Sequence, residues 1–341
     1  MGYRRLGLRA ALFTAVYLLL AAGVAFAADP PAITFTAGAR FGALYGVANE
    51  YVYTQAYLPD YKNSWLVWPL QPMLFSGAAL SVDTSIGFFA TIDVRQGFAG
   101  VAGTMTDSDY LNGDGVRTHY SQSDSYAERA NLVDVRLGWD FYRRRGLSLG
   151  AFGAFSYMDL KWSARDGYLQ YPTSGNPYWV GGPAYPAWSP SETKTPLYGT
   201  GIIYETTYVG GAAGLRGRYA FSDAFALDGS FAFTPVLSCY TEDDHVLRQI
   251  SFYSTLSGGF MVEPRIGVEY TFFRKAVVRL EVGYRYAWNL RGDITQVSQG
   301  TSDFSGNPPM VAGPPTAATG TNDSGADFMA ADASLTLRIS L

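Results

Sequence analysis

Cysteine, histidine and excess positive charge are all scarce in this chain of 341 residues. Cys239 is the only cysteine, so no disulfide can form within the chain, and we interpret it as a packing residue rather than a nucleophile. His119 and His245 are the only histidines, which confines imidazole chemistry to two positions. The formal net charge is −4, which gives no electrostatic basis for binding nucleic acid.

Long apolar runs are missing beyond the N-terminus. Arginines precede an apolar run over about residues 10–24, and the small-residue site Ala25-Phe26-Ala27 follows it. This pattern predicts a secretory signal peptide over 1–27 and a mature domain over 28–341. A retained transmembrane anchor is the alternative, but the run is short and ends in a cleavage pattern. The remaining sequence has no apolar run of about 18 residues, so it offers no membrane helix.

What the sequence does have is alternation of apolar and polar residues, most clearly over 276–289. Every second residue from Ala276 to Trp288 is apolar, and the residues between them include Arg279, Glu281 and Arg285. A period of two indicates a strand with two unlike faces. An apolar face ending in tyrosine and tryptophan, opposite a charged face, is typical of a barrel strand that faces lipid. Such inward charges would fill a small lumen, which argues against a porin.

Ten segments have the length of barrel strands, and short turns alternate with long polar segments between them. The predicted strands are 34–55, 64–82, 85–103, 128–142, 146–163, 200–220, 225–241, 254–272, 276–293 and 327–341. The long polar segments are 56–63, 104–127, 164–199, 242–253 and 294–326, the last predicted to be a mobile loop. Only a closed barrel can cross lipid without helices. The sequence therefore predicts an all-β, transmembrane antiparallel up-and-down β-barrel of about ten strands. Its long loops would be extracellular and its termini periplasmic.

Two pairs of polar residues in the predicted loops are candidates for chemistry. Asp243 and His245 are two residues apart, so an extended chain places both on one face, where the carboxylate would make the imidazole a better base. The same spacing places Asp107 and Asp109 together, able to share a proton or bind a cation. Calcium is an alternative ligand because Asn112-Gly113-Asp114 adds oxygens, although the later glutamate of an EF-hand is missing. Solvated acidic turns are the plain alternative for both pairs.

Several motifs, taken in order, resemble the omptins, a family of ten-stranded outer-membrane aspartyl proteases of Gram-negative bacteria. The resemblance extends from about Phe41 to the C-terminus. The matching positions are Gly42, Leu44, Gly46, Glu50, Val52 and Tyr53, then Ser64, Leu66 and Trp68, then Asp107-Ser108-Asp109-Tyr110, Ser163 to Gly167, Asp243-Asp244-His245 and Tyr286 to Asn289.

The resemblance implies hydrolysis of peptide bonds without a covalent intermediate. Asp243 would orient His245, His245 would take a proton from a water molecule, and Asp107 and Asp109 would hold that water from the opposite wall. The site would lie at the extracellular rim of a barrel in the bacterial outer membrane. No metal or other cofactor is expected for this chemistry.

The resemblance also implies a substrate preference and a lipid partner. Omptins cleave at or near basic residues, and Glu50 matches one acidic position of the pocket. The second falls at uncharged Thr241, with Glu242 adjacent, which should weaken selection for Arg or Lys.

Omptins require lipopolysaccharide, which basic and polar residues on the barrel exterior hold. Tyr157, Asp159 and Lys161 resemble part of that site, while a second basic ligand is replaced near Thr207. Lys161 could equally be a residue that extends its charged end to the membrane interface.

The sequence therefore favours an outer-membrane endopeptidase that acts as a monomer on extracellular peptides or proteins. The alternative is a non-catalytic omptin-like barrel that serves as an adhesin or binding protein. Fold alone does not decide between them. The four residues of the candidate site do, because an adhesin has no chemical need for them.

Overall fold

Long antiparallel strands dominate this computed structural model, which describes residues 32–54, 60–175, 183–273, 276–298 and 316–340. The predicted signal peptide over 1–27 lies outside the described residues. The strands are β1 (Ile33–Thr54), β2 (Tyr61–Thr84), β3 (Phe88–Gly97), β4 (Gly100–Asp109), β5 (His119–Arg144), β6 (Leu147–Gln170), β7 (Thr195–Ala220), β8 (Phe225–His245), β9 (Ile250–Phe273), β10 (Ala276–Ser298) and β11 (Thr316–Ser340). A 3₁₀ turn over Val246–Arg248 joins β8 to β9. Within these ranges, no helix is long and apolar enough to cross a membrane.

The sheet closes on itself. Apart from β3 and β4, strands that follow each other in sequence pair antiparallel, and β1 pairs with β2 on one side and β11 on the other. Strands β3 and β4 lie end to end between β2 and β5 and together occupy one strand position. The eleven described strands therefore fill ten strand positions around a barrel. Closure gives the backbone N–H and C=O groups of every strand a hydrogen-bond partner within the sheet, which is necessary in lipid because no water is present. This confirms the predicted all-β, antiparallel up-and-down barrel of about ten strands.

The seam between β1 and β11 depends on a close approach of two backbones. Gly46 lies opposite Ala330, and a Cβ atom at Gly46 would be 2.2 Å from the carbonyl oxygen of Met329. Only glycine avoids that clash without moving the backbone. The glycine therefore fixes how closely the last strand approaches the first.

Burial follows the predicted alternation, with apolar side chains outside and charges inside. On β10, Leu280, Val282 and Tyr284 are exposed on the outer face, whereas Glu281 and Arg285 are buried in the lumen. Similar exposed apolar residues on the other strands form a belt that faces lipid. The belt ends at Tyr45 on β1 and at Tyr240 on β8, and both strands continue beyond it.

Paired charges fill the lumen at the level of the belt. The bonds include Arg40 to Asp93 at 2.8 Å, Arg265 to Glu281 at 3.0 Å, and Arg285 to Asp134 at 3.0 Å and to Glu263 at 2.6 Å. Arg95 also pairs with Asp134, and Arg279 pairs with Asp228 and Glu281. Buried charges are stable only when they are paired in this way. The inward Arg279, Glu281 and Arg285 therefore fill the lumen, as predicted.

The predicted loop boundaries are wrong at one end of the barrel, which we call the rim. The rim is formed by the ends of β1, β4, β6, β8 and β10 that lie away from the chain termini. There the strands continue through much of the predicted loops 104–127, 164–199 and 242–253, and only residues 246–249 separate β8 from β9. The physical reason is that both faces of a strand are polar once it leaves the membrane, so the alternation disappears while the pairing continues. The predicted mobile loop 294–326 is also wrong at its two ends, because 294–298 belong to β10 and 316–326 to β11, while residues 299–315 lie outside the described part.

Candidate active site

One wall of the candidate site lies on β1, β2 and β4 at the rim. Glu50 and Asp107 are both register partners of Leu66, from opposite sides of β2. Directly paired residues share a face, so the two carboxyl groups point into the same lumen. Two pairs further along, and so on the same face, Asp109 lies opposite Ser64. All of these positions lie beyond the lipid-facing belt.

Asp107 and Asp109 form a carboxyl pair in which Asp107 is buried and Asp109 is half-buried. The hydroxyl of Ser64 donates a 3.1 Å hydrogen bond to Oδ1 of Asp107. Burial raises the pKa of Asp107 well above its ordinary value, and the negative charge of Asp109 raises it further. Burial also raises the pKa of Asp109, while the Ser64 hydroxyl and the charge of Arg248 act in the opposite direction. Such a pair holds a proton readily between its two members.

The opposite wall is formed by β8. His245 Nε2 lies 2.9 Å from Oδ2 of Asp243, as the spacing of two residues predicts. A carboxylate can only accept, so Nε2 carries the proton and Nδ1 keeps a lone pair. The ring of Phe252 packs edge-on against the imidazole at 5.4 Å and limits its rotation. The imidazole is therefore held with its basic nitrogen available.

The two walls face each other closely enough for their charges to interact. The charge of Asp243 raises the pKa of both Glu50 and Asp107, in addition to the larger effect of burial. The imidazole of His245 lowers the pKa of Asp109. The structure thus brings Asp107, Asp109, Asp243 and His245 together from separate hairpins.

Aromatic rings form the floor of this cleft. Trp68 stacks on Tyr204 with ring centroids 5.3 Å apart, and Trp162 stacks on the same tyrosine at 6.1 Å. All three are fully buried. The indole Nε1 of Trp68 donates a 3.2 Å hydrogen bond to Oε2 of Glu50, so Glu50 lies between the floor and the carboxyl groups above it.

Two residues near the carboxyl pair were missed by the sequence interpretation as members of the site. Ser64 was noted in a motif without a role, and its hydroxyl bonds Asp107. Arg248 is half-buried, whereas Val246, Leu247 and Gln249 around it are exposed, and its charge lowers the pKa of Asp107 and Asp109. Alternation cannot reveal Arg248 because it lies in a turn.

The structure does not bring Glu242 into the cleft, although its neighbour Asp243 is there. Glu242 occupies the opposite face of β8 and pairs in register with Glu205, which lies on the outer surface. Successive residues of a strand point to opposite faces, so the two neighbours cannot both face the lumen. Thr241 does face the lumen and is buried. The lumen-facing positions 241, 243 and 245 thus contribute only one acid to the cleft.

Tyr157, Asp159 and Lys161 lie on the outer face of β6, as a lipid-binding surface requires. Lys161 is 2.5 Å from Glu205, and Asp159 accepts a 2.7 Å bond from Nε of Arg129 on β5. Arg129 also reaches Glu205 at 2.9 Å. The sequence interpretation did not include Arg129, which lies opposite Lys161 in the strand pairing. Thr207 completes this outer cluster with a 3.5 Å bond to Asp159.

The calcium alternative can be tested against this geometry. In the ranges that the structure describes, no group of three or more His, Cys, Asp or Glu side chains is arranged to hold a metal ion. Asp114 instead accepts a 2.9 Å hydrogen bond from the amide of Val116, and Asn112 bonds the backbone of Tyr185. The first contact closes a local turn, and the second joins this turn to the segment around Tyr185.

Comparison with known proteins identifies the family. The family model described as the omptin family matches residues 32–312. The chain belongs to the omptin family. This omptin is 23% identical over 275 residues to the plasminogen activator of Yersinia pestis. The aligned region covers 79% of this chain and 81% of that protein.

One solved structure shows the same fold as this omptin. The outer-membrane protease OmpT of Escherichia coli superposes with a TM-score of 0.75 at 18% identity, covering 90% of this chain and 97% of that one. The translocator domain of the autotransporter NalP from Neisseria meningitidis gives a TM-score of only 0.34 at 10% identity, covering 97% and 95% of the two chains. The protein is therefore an outer-membrane barrel of a protease family.

Proposed function

We propose that this omptin is an endopeptidase that cleaves peptide bonds with a water molecule activated by Asp243 and His245. The meeting of four groups from separate hairpins, Asp107, Asp109, Asp243 and His245, carries the proposal. Nδ1 of His245 accepts a proton as the water attacks the peptide carbonyl. The carboxyl pair on the opposite wall holds the water and can supply the proton that the leaving amine requires. No covalent intermediate and no metal or other cofactor take part in these steps.

The proposed substrates are peptides or proteins cut at or near basic residues. Carboxyl groups dominate the cleft, and an Arg or Lys side chain would be attracted to them. Glu50 lies at the bottom of the cleft, while Thr241 leaves the adjacent lumen-facing position uncharged. Glu242 is on the outer surface and does not compensate. We therefore expect a preference for basic residues that one lost acid weakens.

The proposed orientation places the cleft outside the cell and the chain termini in the periplasm. The cleft is at the rim, which is the end away from the termini, and outer-membrane barrels keep their termini on the periplasmic side. We further propose that the barrel acts as a monomer. Closure of the sheet supports this, because β1 and β11 leave no edge for another copy to extend.

Lipopolysaccharide is the proposed lipid partner, bound at the outer cluster of Tyr157, Asp159 and Lys161. Arg129 and Lys161 are the cations of this cluster, and both already pair with Glu205. A lipid phosphate would have to compete with those carboxylates, so we expect activation to be weak or to need a high lipid concentration. Lys161→Gln and Arg129→Gln should each raise the lipid concentration that gives half-maximal activity.

The central experiment is a peptide-cleavage assay of the refolded protein in lipopolysaccharide. The wild type should cleave quenched peptides that contain Arg or Lys faster than matched peptides that contain Gln. Asp243→Asn should lower kcat by about 10³-fold or more, as in other carboxylate–imidazole sites, and His245→Ala by about 10²-fold or more. Asp107→Ala should also lose most of the activity.

Asp244→Asn is the matched control because Asp244 lies on the outer face of the same strand, next to Asp243. It should retain wild-type activity. Equal loss in Asp243→Asn and Asp244→Asn would contradict the proposed dyad. Inactivity of the wild type on every peptide, with lipid present, would instead favour a binding barrel.

A further inference from the structure

A contact between two carboxyl groups lies beneath the Asp243–His245 pair. Oδ2 of Asp243 contacts His245, whereas Oδ1 is buried and receives no hydrogen bond from any N–H or hydroxyl of the described residues. The side chain of Glu50 lies within hydrogen-bonding contact of the carboxyl group of Asp243. Oε2 of Glu50 already accepts from Trp68 Nε1 at 3.2 Å.

Two ionised carboxylates cannot remain in contact at such a site. Glu50 is 6% exposed and Asp243 is 4% exposed, so water screens neither charge. Burial raises the pKa of Glu50 well above its ordinary value of 4.5, and the charge of Asp243 raises it further. The other titratable groups that face Glu50 are Asp107 from β4 and Tyr204 from β7, and neither brings a positive charge. One proton between the two carboxyl groups removes the repulsion and provides the missing donor.

We propose that Glu50 is a neutral carboxylic acid that donates its proton to Oδ1 of Asp243 and thereby positions the Asp243–His245 pair. The chain of hydrogen bonds then runs from Trp68 through Glu50 and Asp243 to His245. Each oxygen of Asp243 has one donor, which fixes the carboxylate plane and aims Oδ2 at the imidazole. This role rests on the proposed protease function for its effect on catalysis. The protonation of Glu50 itself does not.

The proposal changes what Glu50 offers to a substrate. A neutral Glu50 attracts no basic side chain, in contrast to the role that the family resemblance implies for this position. Any preference for Arg or Lys would then come from Asp107 and Asp109. The positive charge of Arg248 lowers the pKa of both of these aspartates.

Glutamine distinguishes the two roles because it imitates the protonated acid. The amide of a Glu50→Gln variant can donate to Asp243 and accept from Trp68, but it can never carry negative charge. Glu50→Ala removes both bonds. We expect Glu50→Ala to lower kcat by about tenfold or more, and Glu50→Gln to restore kcat to within about threefold of wild type, with the preference for basic residues retained.

Infrared difference spectroscopy provides a readout that does not require activity. At neutral pH the wild type should show the carbonyl stretch of one protonated carboxylic acid that is missing in Glu50→Gln. Glu192→Gln, which replaces a glutamate outside this contact, should keep the band and is the matched control. This measurement decides the protonation state even when the proposed protease function fails.

The pH dependence of stability gives a second independent readout. A raised folded-state pKa means that the folded protein holds the proton more tightly, so stability declines as pH rises above about 4.5 towards the folded pKa. Glu50→Gln should lack that part of the decline. A Glu50→Gln variant as inactive as Glu50→Ala, an unchanged infrared spectrum, or an unchanged pH dependence of stability would each overturn the proposal.

Discussion

The lumen network gives a quantitative test of how this barrel holds buried charge, through Arg285→Met. The side chain of Arg285 is 4% exposed and spans two acids. Its Nη2 bonds both oxygens of Asp134 at 3.0 and 3.1 Å, and its Nε lies 2.6 Å from Oε1 of Glu263. Methionine keeps most of the volume and removes the charge, so packing changes little.

The two acids respond differently to this change. Among the described residues, Asp134 keeps Arg95 as a close partner, whereas Glu263 keeps Arg136 at 4.0 Å and the more distant charge of Arg265. The side chain of Glu263 is 3% exposed, so it becomes a buried charge with weak compensation. Removing one partner of such a pair costs about 3–5 kcal/mol of unfolding free energy. We therefore expect Arg285→Met to lose an amount in this range.

The double variant Glu263→Gln/Arg285→Met isolates the reason for that loss. Removing the stranded charge should recover at least about 1–2 kcal/mol relative to Arg285→Met alone, because a buried pair replaced as a whole is often near neutral. The assay is urea unfolding in lipid vesicles, followed by tryptophan fluorescence. If the losses of the single variants Arg285→Met and Glu263→Gln add up to the loss of the double variant, the explanation by an unpaired Glu263 charge is wrong. Arg285 then acts through packing.

Three further predictions concern single side chains. Burial lowers the pKa of His119 from 6.5 to about 4, so its contribution to stability is present above pH 6.5 and lost as pH falls towards 4; His119→Phe should show a flatter decline over that range in pH-dependent unfolding. Trp68→Phe keeps the stacked floor but strands Oε2 of Glu50, which should cost about 1–3 kcal/mol in the same unfolding assay. Gly46→Val should disturb the closing seam and cost about 1–3 kcal/mol, measured by loss of heat-modifiable migration on gels; Gly100→Ala, where a Cβ meets nothing within 4 Å, is the control and should migrate normally.

The sequence was sufficient to predict the fold because each strand faces lipid on one side and paired charges on the other. Its residues therefore alternate between apolar and polar with a period of two. Strand β10 begins at Ala276 as predicted, and its inward and outward faces are as predicted. Where the strands extend beyond the lipid, as in residues 119–127 of β5, both of their faces are polar. The apolar–polar alternation therefore ends before the strand does. The break at residues 98–99 between β3 and β4 is flanked by Gly97 and Gly100, a sign of a bend that the prediction of one strand over 85–103 did not use.

The site was predictable only within a strand. Spacing by two places Asp243 beside His245, and the same rule, applied to Glu242, would have put that glutamate outside. Contacts across the lumen depend on the order of the strands around the barrel and on their register. Both are set by residues far apart in the sequence. The contact of Glu50 with Asp243 and the charge of Arg248 near Asp107 are of this kind, and no local pattern contains them.

The stacked rings of Trp68, Tyr204 and Trp162 divide the interior into two compartments. A cavity of about 760 Å³ opens at the terminal end, lined by Arg143, Arg216 and Arg218, and the ion-pair layer and the rings separate it from the cleft. Under the proposed function, peptide fragments would leave the cleft by the side from which the substrate entered, so cleavage would need no channel through the barrel.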